Sequence, residues 1–178
     1  PFAYDYADDD ADASPAGSHG THVAGIAAGN AGEIMGVAPD AQIIVAKVAR
    51  SVQGDITDSA LLAALDDMVV LHPDVVNLSL GQLGGMDNEA DSVYATVFKS
   101  LQDVGVTVNA AAGNHYTAGY GNTSGKNLPF ASDPDSSTQC EPATYSSVVS
   151  VASVDNSLAH SAFTVGDRDI PFQRAGGA

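Results

Sequence analysis

The sequence predicts an α/β fold in which a mainly parallel sheet is flanked by helices. Short apolar segments alternate along the chain with longer segments whose apolar residues recur at helical spacing. Glycine, proline and aspartate separate these segments and mark the turns between them. Apolar residues make up 44% of the 178 residues, which is enough to bury a core within one domain.

Four segments are predicted to be strands because each is short and apolar on both faces, as buried parallel strands are. They are residues 42–48, 75–80, 106–111 and 148–154. Helices are predicted at residues 19–29, 58–71 and 89–103. Thr57 can cap the second helix, and Pro73 prevents its continuation. The strand pattern is lost over residues 157–178.

Charge and composition exclude several classes of protein. The net charge is −16 with only six lysines and arginines, which argues against nucleic acid as a partner. No apolar run of about 20 residues is present, so we expect no transmembrane segment in this chain. The start does not resemble a signal peptide, so any secretion signal is expected outside it. Cys140 is the one cysteine, which excludes an internal disulfide and predicts a buried or incidental thiol.

An acidic run occupies residues 5–12, with five carboxylates in eight residues. A solvated loop is the predicted structure. Binding of a hard cation is the alternative, because carboxylate oxygens are the ligands such ions prefer. The run lacks the glycine and the terminal glutamate of a recognised calcium loop.

The most informative motif is residues 18–25, which read Ser-His-Gly-Thr-His-Val-Ala-Gly. A histidine in the first turn of a helix is held rigidly while its ring faces outward, as a general base requires. Gly20 and Gly25 are predicted to let other backbone come close. A histidine of this motif is therefore a candidate general base, against the alternative of an ordinary surface or core histidine.

This string resembles the histidine motif of the subtilisin-like serine proteases, and further segments follow in the order and rough spacing of that family. They are Gly36-Val37-Ala38-Pro39 with residues 41–48, residues 75–81, residues 108–114, and Pro142-Ala143-Thr144-Tyr145 with residues 148–154. The likeness covers roughly residues 17–156 and is strongest to the cell-envelope branch, which includes lactocepin. It implies that residues 1–156 form part of a catalytic domain and that residues 157–178 start an inserted domain or a linker.

The resemblance also implies roles for single residues. His19 would take the proton from the nucleophilic serine, His22 would be structural, and Asn114 would donate to the oxyanion. An asparagine that merely completes a turn after a glycine is the alternative for Asn114. An extended substrate would lie along small residues at strand ends. The alternative explanation is that these residues are small because adjacent strands pack closely there. These substrate-binding candidates are Ser79, Leu80, Gly81, Ala111, Ala112 and Gly113.

Two motifs of the family are missing from these residues. Residues 1–18 contain no apolar strand that ends in Asp-Ser/Thr-Gly, and no Gly-Thr-Ser-Met-Ala type string follows Asn114. Asn122-Thr123-Ser124-Gly125 is the nearest imitation, but no helical pattern follows it. We therefore expect part of a serine endopeptidase that is inactive alone. The remainder of the catalytic domain in the longer protein that the resemblance implies, called the parent protein below, would complete it.

The resemblance implies a protein or peptide substrate and an extracellular, secreted or cell-wall-attached location. No cofactor is expected for catalysis, and no metal ligand is assigned. The loop of residues 29–35 is shorter than the calcium-binding loop of secreted subtilisins, which argues against a structural calcium ion there. A non-catalytic polypeptide-binding module on the same scaffold is the alternative function. A phosphate-binding domain is disfavoured because no glycine-rich phosphate motif follows a strand.

Overall fold

The computed structural model describes residues 2–52, 54–82, 92–114 and 139–152 with their side chains, and the backbone of residues 160–165 and 168–173. The chain divides into two compact units. The first comprises Pro1–Val76 and Ala90–Thr107, and the second comprises Asn77–Glu89 and Val108–Ala178.

The first unit contains three helices and four short strands in the described residues. The helices are α1 (His19–Ala28), α2 (Asp58–Leu71) and α3 (Val93–Asp103). The strands are β1 (Ala3–Asp5), β2 (Asn30–Ala31), β3 (Ile34–Met35) and β4 (Val45–Lys47). β1 pairs with β4 in parallel, and β2 pairs with β3 as an antiparallel hairpin.

Helices α2 and α3 supply the core of the first unit. The Thr57 side chain caps α2 by accepting a hydrogen bond from the Ala60 amide at 3.3 Å, and α2 ends at His72 in the left-handed conformation (φ 54°). Ser92 caps α3 in the same way. The largest buried side chains of the two helices are Leu61, Leu65, Met68, Phe98 and Leu101.

Helix α1 is apolar along most of its length, yet none of its residues is buried among the residues described here. Its last turn is fixed by the following turn, because Val37 and Ala38 donate backbone hydrogen bonds to the carbonyls of Ile26 and Ala27 at 3.0 and 2.8 Å. Gly20 and Gly25 were expected to let other backbone come close. Among the described residues this expectation is wrong, because a Cβ at either position would meet nothing within 4 Å.

A three-stranded sheet has the order β5 (Val75–Leu78), β6 (Thr107–Ala111), β7 (Val149–Val151), and its residues other than Val75, Val76 and Thr107 belong to the second unit. β6 and β7 are parallel, with Asn109 opposite Val149 and Ala111 opposite Val151. Eight of the described residues of this unit are buried: Leu78, Val108, Ala110, Cys140, Pro142, Ala143, Tyr145 and Val148. Two further strands, β8 (His160–Val165) and β9 (Arg168–Gln173), form an antiparallel pair.

The three predicted helices and four predicted strands are confirmed, most of them one to several residues shorter than predicted. Residues 89–91 and 153–154 of the predicted elements lie outside the described residues. The expectation of no strand structure over residues 157–178 is wrong, because β8 and β9 occupy that segment. Within the described part of the chain, no helix is long and apolar enough to cross a membrane.

Candidate active site

His19 is the first residue of α1, directly after Ser18, and its side chain is exposed. The His22 amide donates to the Ser18 carbonyl at 2.9 Å, which closes the first turn of the helix. The ring of His19 is thus carried by a regular helix and presented at its N-terminal end. His22 is exposed as well, so its structural role stays a prediction.

Asp5 is a buried carboxylate that the sequence analysis placed in a solvated loop. That expectation is wrong for Asp5, which is 1% exposed, while residues 8–12 are exposed as predicted. Asp5 pairs with Lys47, its partner in the β1–β4 ladder, and accepts hydrogen bonds from the amides of Ala7 and Asp8 at 2.9 and 3.1 Å. Its oxygens are therefore occupied by structural partners.

The ionisation of Asp5 follows from these contacts. Burial acts to raise the pKa of the carboxyl group, because the charged form loses hydration. The hydrogen bond from Lys47 and the two backbone amides outweigh burial, and the pKa of Asp5 lies below its ordinary value. Asp5 is consequently a fixed negative charge that holds β1 to β4.

The segment that follows β5 carries three of the substrate-binding candidates, Ser79, Leu80 and Gly81. Directly after them, Gln82 forms an antiparallel bridge with Glu141, with both backbone hydrogen bonds at 3.0 Å. A Cβ at Gly81 would lie 2.7 Å from the Glu141 carbonyl oxygen, so only glycine fits at this position. The segment around Glu141 is thereby fastened to the residues after β5.

The end of β6 carries the other three candidates, Ala111, Ala112 and Gly113. The Ala112 amide donates to the Val151 carbonyl, and the Ala112 carbonyl accepts from the Cys140 amide, both at 2.9 Å. Gly113 adopts φ 107°, and a Cβ there would overlap Cys140 Sγ. The structure therefore gives a physical reason for glycine at position 113, because the Cys140 side chain approaches it closely.

Asn114 follows Gly113 at this strand end and is exposed. The backbone of Asn114 hydrogen-bonds the buried thiol of Cys140. Burial raises the pKa of the Cys140 thiol, and this hydrogen bond acts in the opposite direction without reversing the change. The prediction that Cys140 is buried is confirmed, and the thiol supports the turn that carries Asn114.

The candidate residues fall in different parts of the molecule. The structure brings Ser79, Leu80 and Gly81 to the end of β5 and Ala111–Asn114 to the end of β6, all in the second unit. His19 belongs to the first unit. Asn122-Thr123-Ser124-Gly125 lies outside the described residues.

Glu141 is a residue of this site that the sequence alone does not single out. Its side chain accepts hydrogen bonds from Tyr145 Oη at 2.7 Å and from Gln82 Nε2 at 3.3 Å. The sequence shows only that a glutamate precedes Pro142. The contact of this glutamate with Gln82 could not be predicted, because the two residues are 59 positions apart in the chain.

The loop between α1 and β4 contains the β2–β3 hairpin, whose two-residue turn is Gly32-Glu33. Gly32 has φ 59°, which suits a tight hairpin turn. The described residues contain no group of three histidine, cysteine or carboxylate residues placed to hold a metal ion. The expectation of no calcium at this loop stays a prediction.

Comparison with known proteins gives a consistent result. The sequence matches the family model described as "Subtilase family" over residues 3–173. It is 32% identical to the PI-type proteinase of Lactococcus lactis subsp. cremoris, over 88% of this chain and 9% of that proteinase. It is 33% identical to subtilisin DY of Bacillus licheniformis, over 82% of this chain and 46% of subtilisin DY.

Two solved structures share the fold. A cold-adapted subtilisin-like serine proteinase is 31% identical, with a TM-score of 0.60, over 87% of this chain and 47% of that one. The prenylagaramide maturation protease PagA is 24% identical, with a TM-score of 0.61, over 78% of this chain and 43% of that one, and shows the fold alone. The predicted α/β, subtilisin-like and incomplete fold is confirmed.

The chain belongs to the subtilase family, whose members are serine proteases. It spans less than a tenth of the lactococcal proteinase and just under half of subtilisin DY. The resemblance found in the sequence is confirmed. The division of the chain at residue 156 and the roles of the single site residues stay predictions.

Proposed function

We propose that this chain supplies the general base and the oxyanion donor of a serine endopeptidase. The observation that carries the proposal is the position of Asn114 directly after Gly113 at the carboxyl end of β6, in a chain of the subtilase family. Chemistry in parallel α/β sheets gathers at such strand ends. The nucleophilic serine and the aspartate of the triad lie in the remainder of the parent protein.

His19 has the proton-transfer role. Its Nε2 accepts the serine proton and returns it to the leaving amine, while an aspartate orients the other ring nitrogen. Asp5 is unsuited to that orienting role, because its oxygens already accept hydrogen bonds from Lys47 and two backbone amides. The aspartate is therefore assigned to the parent protein outside this chain.

Asn114 has the electrostatic role. Its side-chain amide donates a hydrogen bond to the oxyanion of the tetrahedral intermediate, where negative charge develops during attack. Gly113, the residue before Asn114, packs against the buried side chain of Cys140. A donor that is held in place before the reaction costs no reorganisation when the charge appears.

The substrate is a protein or peptide in extended conformation, lying along Ser79, Leu80 and Gly81. Catalysis needs no cofactor and no metal ion. The parent protein acts outside the cell, secreted or attached to the cell wall, as the cell-envelope likeness suggests. The isolated 178-residue chain is inactive, because it lacks the serine and aspartate motifs.

Peptide hydrolysis by the parent protein and its variants tests this proposal. Asn114→Ala is expected to lower kcat by about 10² to 10³ with little change in KM, which is the loss known for the equivalent donor in subtilisin. His19→Ala is expected to remove nearly all turnover. His72→Asn is the matched control, because it removes a histidine at the left-handed end of α2 where asparagine fits.

The alternative function is a module that binds extended polypeptides without cleaving them. It is favoured by the presence of the strand-end segments in a chain without the serine and aspartate motifs. Binding of peptides by the parent protein without any hydrolysis, unaffected by His19→Ala, would establish this alternative and refute the protease proposal.

A further inference from the structure

Glu141 lies where the polypeptide-binding segment after β5 ends. Its backbone pairs with Gln82 through two hydrogen bonds of 3.0 Å, one residue beyond Gly81. Gly81 and Gln82 are exposed, and Glu141 is half-buried. A peptide that lies along Ser79, Leu80 and Gly81 would therefore run towards Glu141.

The side chain of Glu141 is held in one position. Tyr145 Oη donates to Oε1 at 2.7 Å, and Gln82 Nε2 donates to Oε2 at 3.3 Å. Tyr145 is itself buried at 4% exposure, so one of the two donors is fixed by the core. Each of the two carboxylate oxygens of Glu141 therefore accepts one hydrogen bond.

No cation compensates this charge in the part of the chain whose side chains are described. The three lysines and arginines there, Lys47, Arg50 and Lys99, all pair with aspartates. The chain as a whole carries a net charge of −16. A positioned carboxylate that has no cationic partner among the described side chains can attract a cation from a bound peptide.

We propose that Glu141 is a specificity-determining residue that selects substrates with a lysine or arginine side chain beside Gly81. The inference rests on the proposed function and names the substrate class of the same site. Lysine and arginine combine an apolar stem with a charged head. The stem would pack on the half-buried Leu80, two residues before Gln82, and the head would reach the carboxylate of Glu141.

Paired peptides measure this preference in the parent protein. Each pair is identical except for one position, which carries lysine or the uncharged norleucine of similar length, and the position is scanned along the peptide. Binding is measured by fluorescence anisotropy in the His19→Ala variant, so that turnover does not interfere. Hydrolysis is measured in the protein with His19 intact. We expect one position at which lysine binds at least tenfold more tightly than norleucine, with a smaller ratio at high salt.

Glu141→Gln removes the charge and keeps a side chain that can still hydrogen-bond. We expect the lysine preference to fall about tenfold while binding of the norleucine peptide stays the same. Glu33→Gln is the matched control, because it removes the same charge from the exposed hairpin turn of the first unit. It should leave the preference unchanged.

The two readouts separate this inference from the proposed function. Equal binding of the lysine and norleucine peptides at every position would overturn the inference, and that comparison needs no Glu141 variant. An equal loss of preference in Glu33→Gln would also overturn it, since the effect would then come from net charge. A lysine preference that depends on Glu141, without hydrolysis in the protein with His19 intact, would support the inference and refute the protease proposal.

Discussion

Replacement of Asp5 by asparagine is expected to destabilise the first unit strongly. Asp5 is 1% exposed, and its partner Lys47 has a side chain that is 17% exposed. The substitution keeps Oδ1, which accepts from both backbone amides, but it replaces the oxygen that faces Lys47 and leaves the ammonium group without its counter-charge. Breaking one side of a buried ion pair costs about 3–5 kcal/mol. Because Lys47 reaches solvent, we expect the lower end, about 3 kcal/mol.

The effect has a defined pH range. The pKa of Asp5 is lower in the folded protein, so its stabilisation is fully present above the unfolded value of about 3.9. It is lost as the pH falls through the folded pKa. The hydrogen bond to Asp5 raises the pKa of Lys47, so the contribution of Lys47 is present below about 10.4 and is lost as the pH rises further. The loss of unfolding free energy caused by Asp5→Asn should be largest between about pH 3.9 and about pH 10.4.

Urea unfolding followed by tyrosine fluorescence measures the loss, since the chain has six tyrosines and no tryptophan. Asp40→Asn is the control, because Asp40 is exposed and carries the same charge. It should change the free energy of unfolding by less than about 0.5 kcal/mol. The double variant Asp5→Asn, Lys47→Met should recover part of the loss. A loss below about 1 kcal/mol, or an equal loss at pH 3 and pH 7, would refute the reasoning.

Two further predictions concern the end of β6. Gly113→Ala should cost more than about 2 kcal/mol, because it forces a side chain into φ 107° and against Cys140 Sγ. The double variant Gly113→Ala, Cys140→Ala should regain part of the lost stability in thermal unfolding. Full recovery would show that the positive φ at position 113 costs an alanine nothing. The Cys140 thiol should react slowly with Ellman's reagent in the folded chain and at one equivalent in urea, because it is 5% exposed and burial raises its pKa. Fast reaction of the folded chain would show that the thiol is accessible.

The sequence predicts best those elements that local signals define. Helix α2 has its capping threonine, its apolar spacing and its stopping proline within seventeen residues, and the predicted bounds 58–71 match the structure. The strands β5, β6 and β7 each lie within a short segment rich in valine, alanine and leucine, which the sequence shows directly. Their observed ends differ because hydrogen-bond pairing with a neighbouring strand decides where a strand stops.

The elements that the sequence does not predict depend on partners far away in the chain. β1 has three residues and is a strand because it pairs with β4, about forty residues later. Asp5 looks like part of a solvated acidic run until that pairing places it beside Lys47. Glu141 is likewise an ordinary loop residue in the sequence, and only the return of its segment to Gln82 gives it a fixed position.

Labelling with a fluorophosphonate probe, followed by mass spectrometry of the labelled peptide, tests the central claim most directly. The account predicts that the parent protein is labelled on one serine outside these 178 residues, that His19→Ala prevents the labelling, and that the isolated chain is not labelled. Stoichiometric labelling of a serine within this chain, or unchanged labelling in the His19→Ala variant of the parent protein, would contradict the assignment of His19 as the base for an external nucleophile.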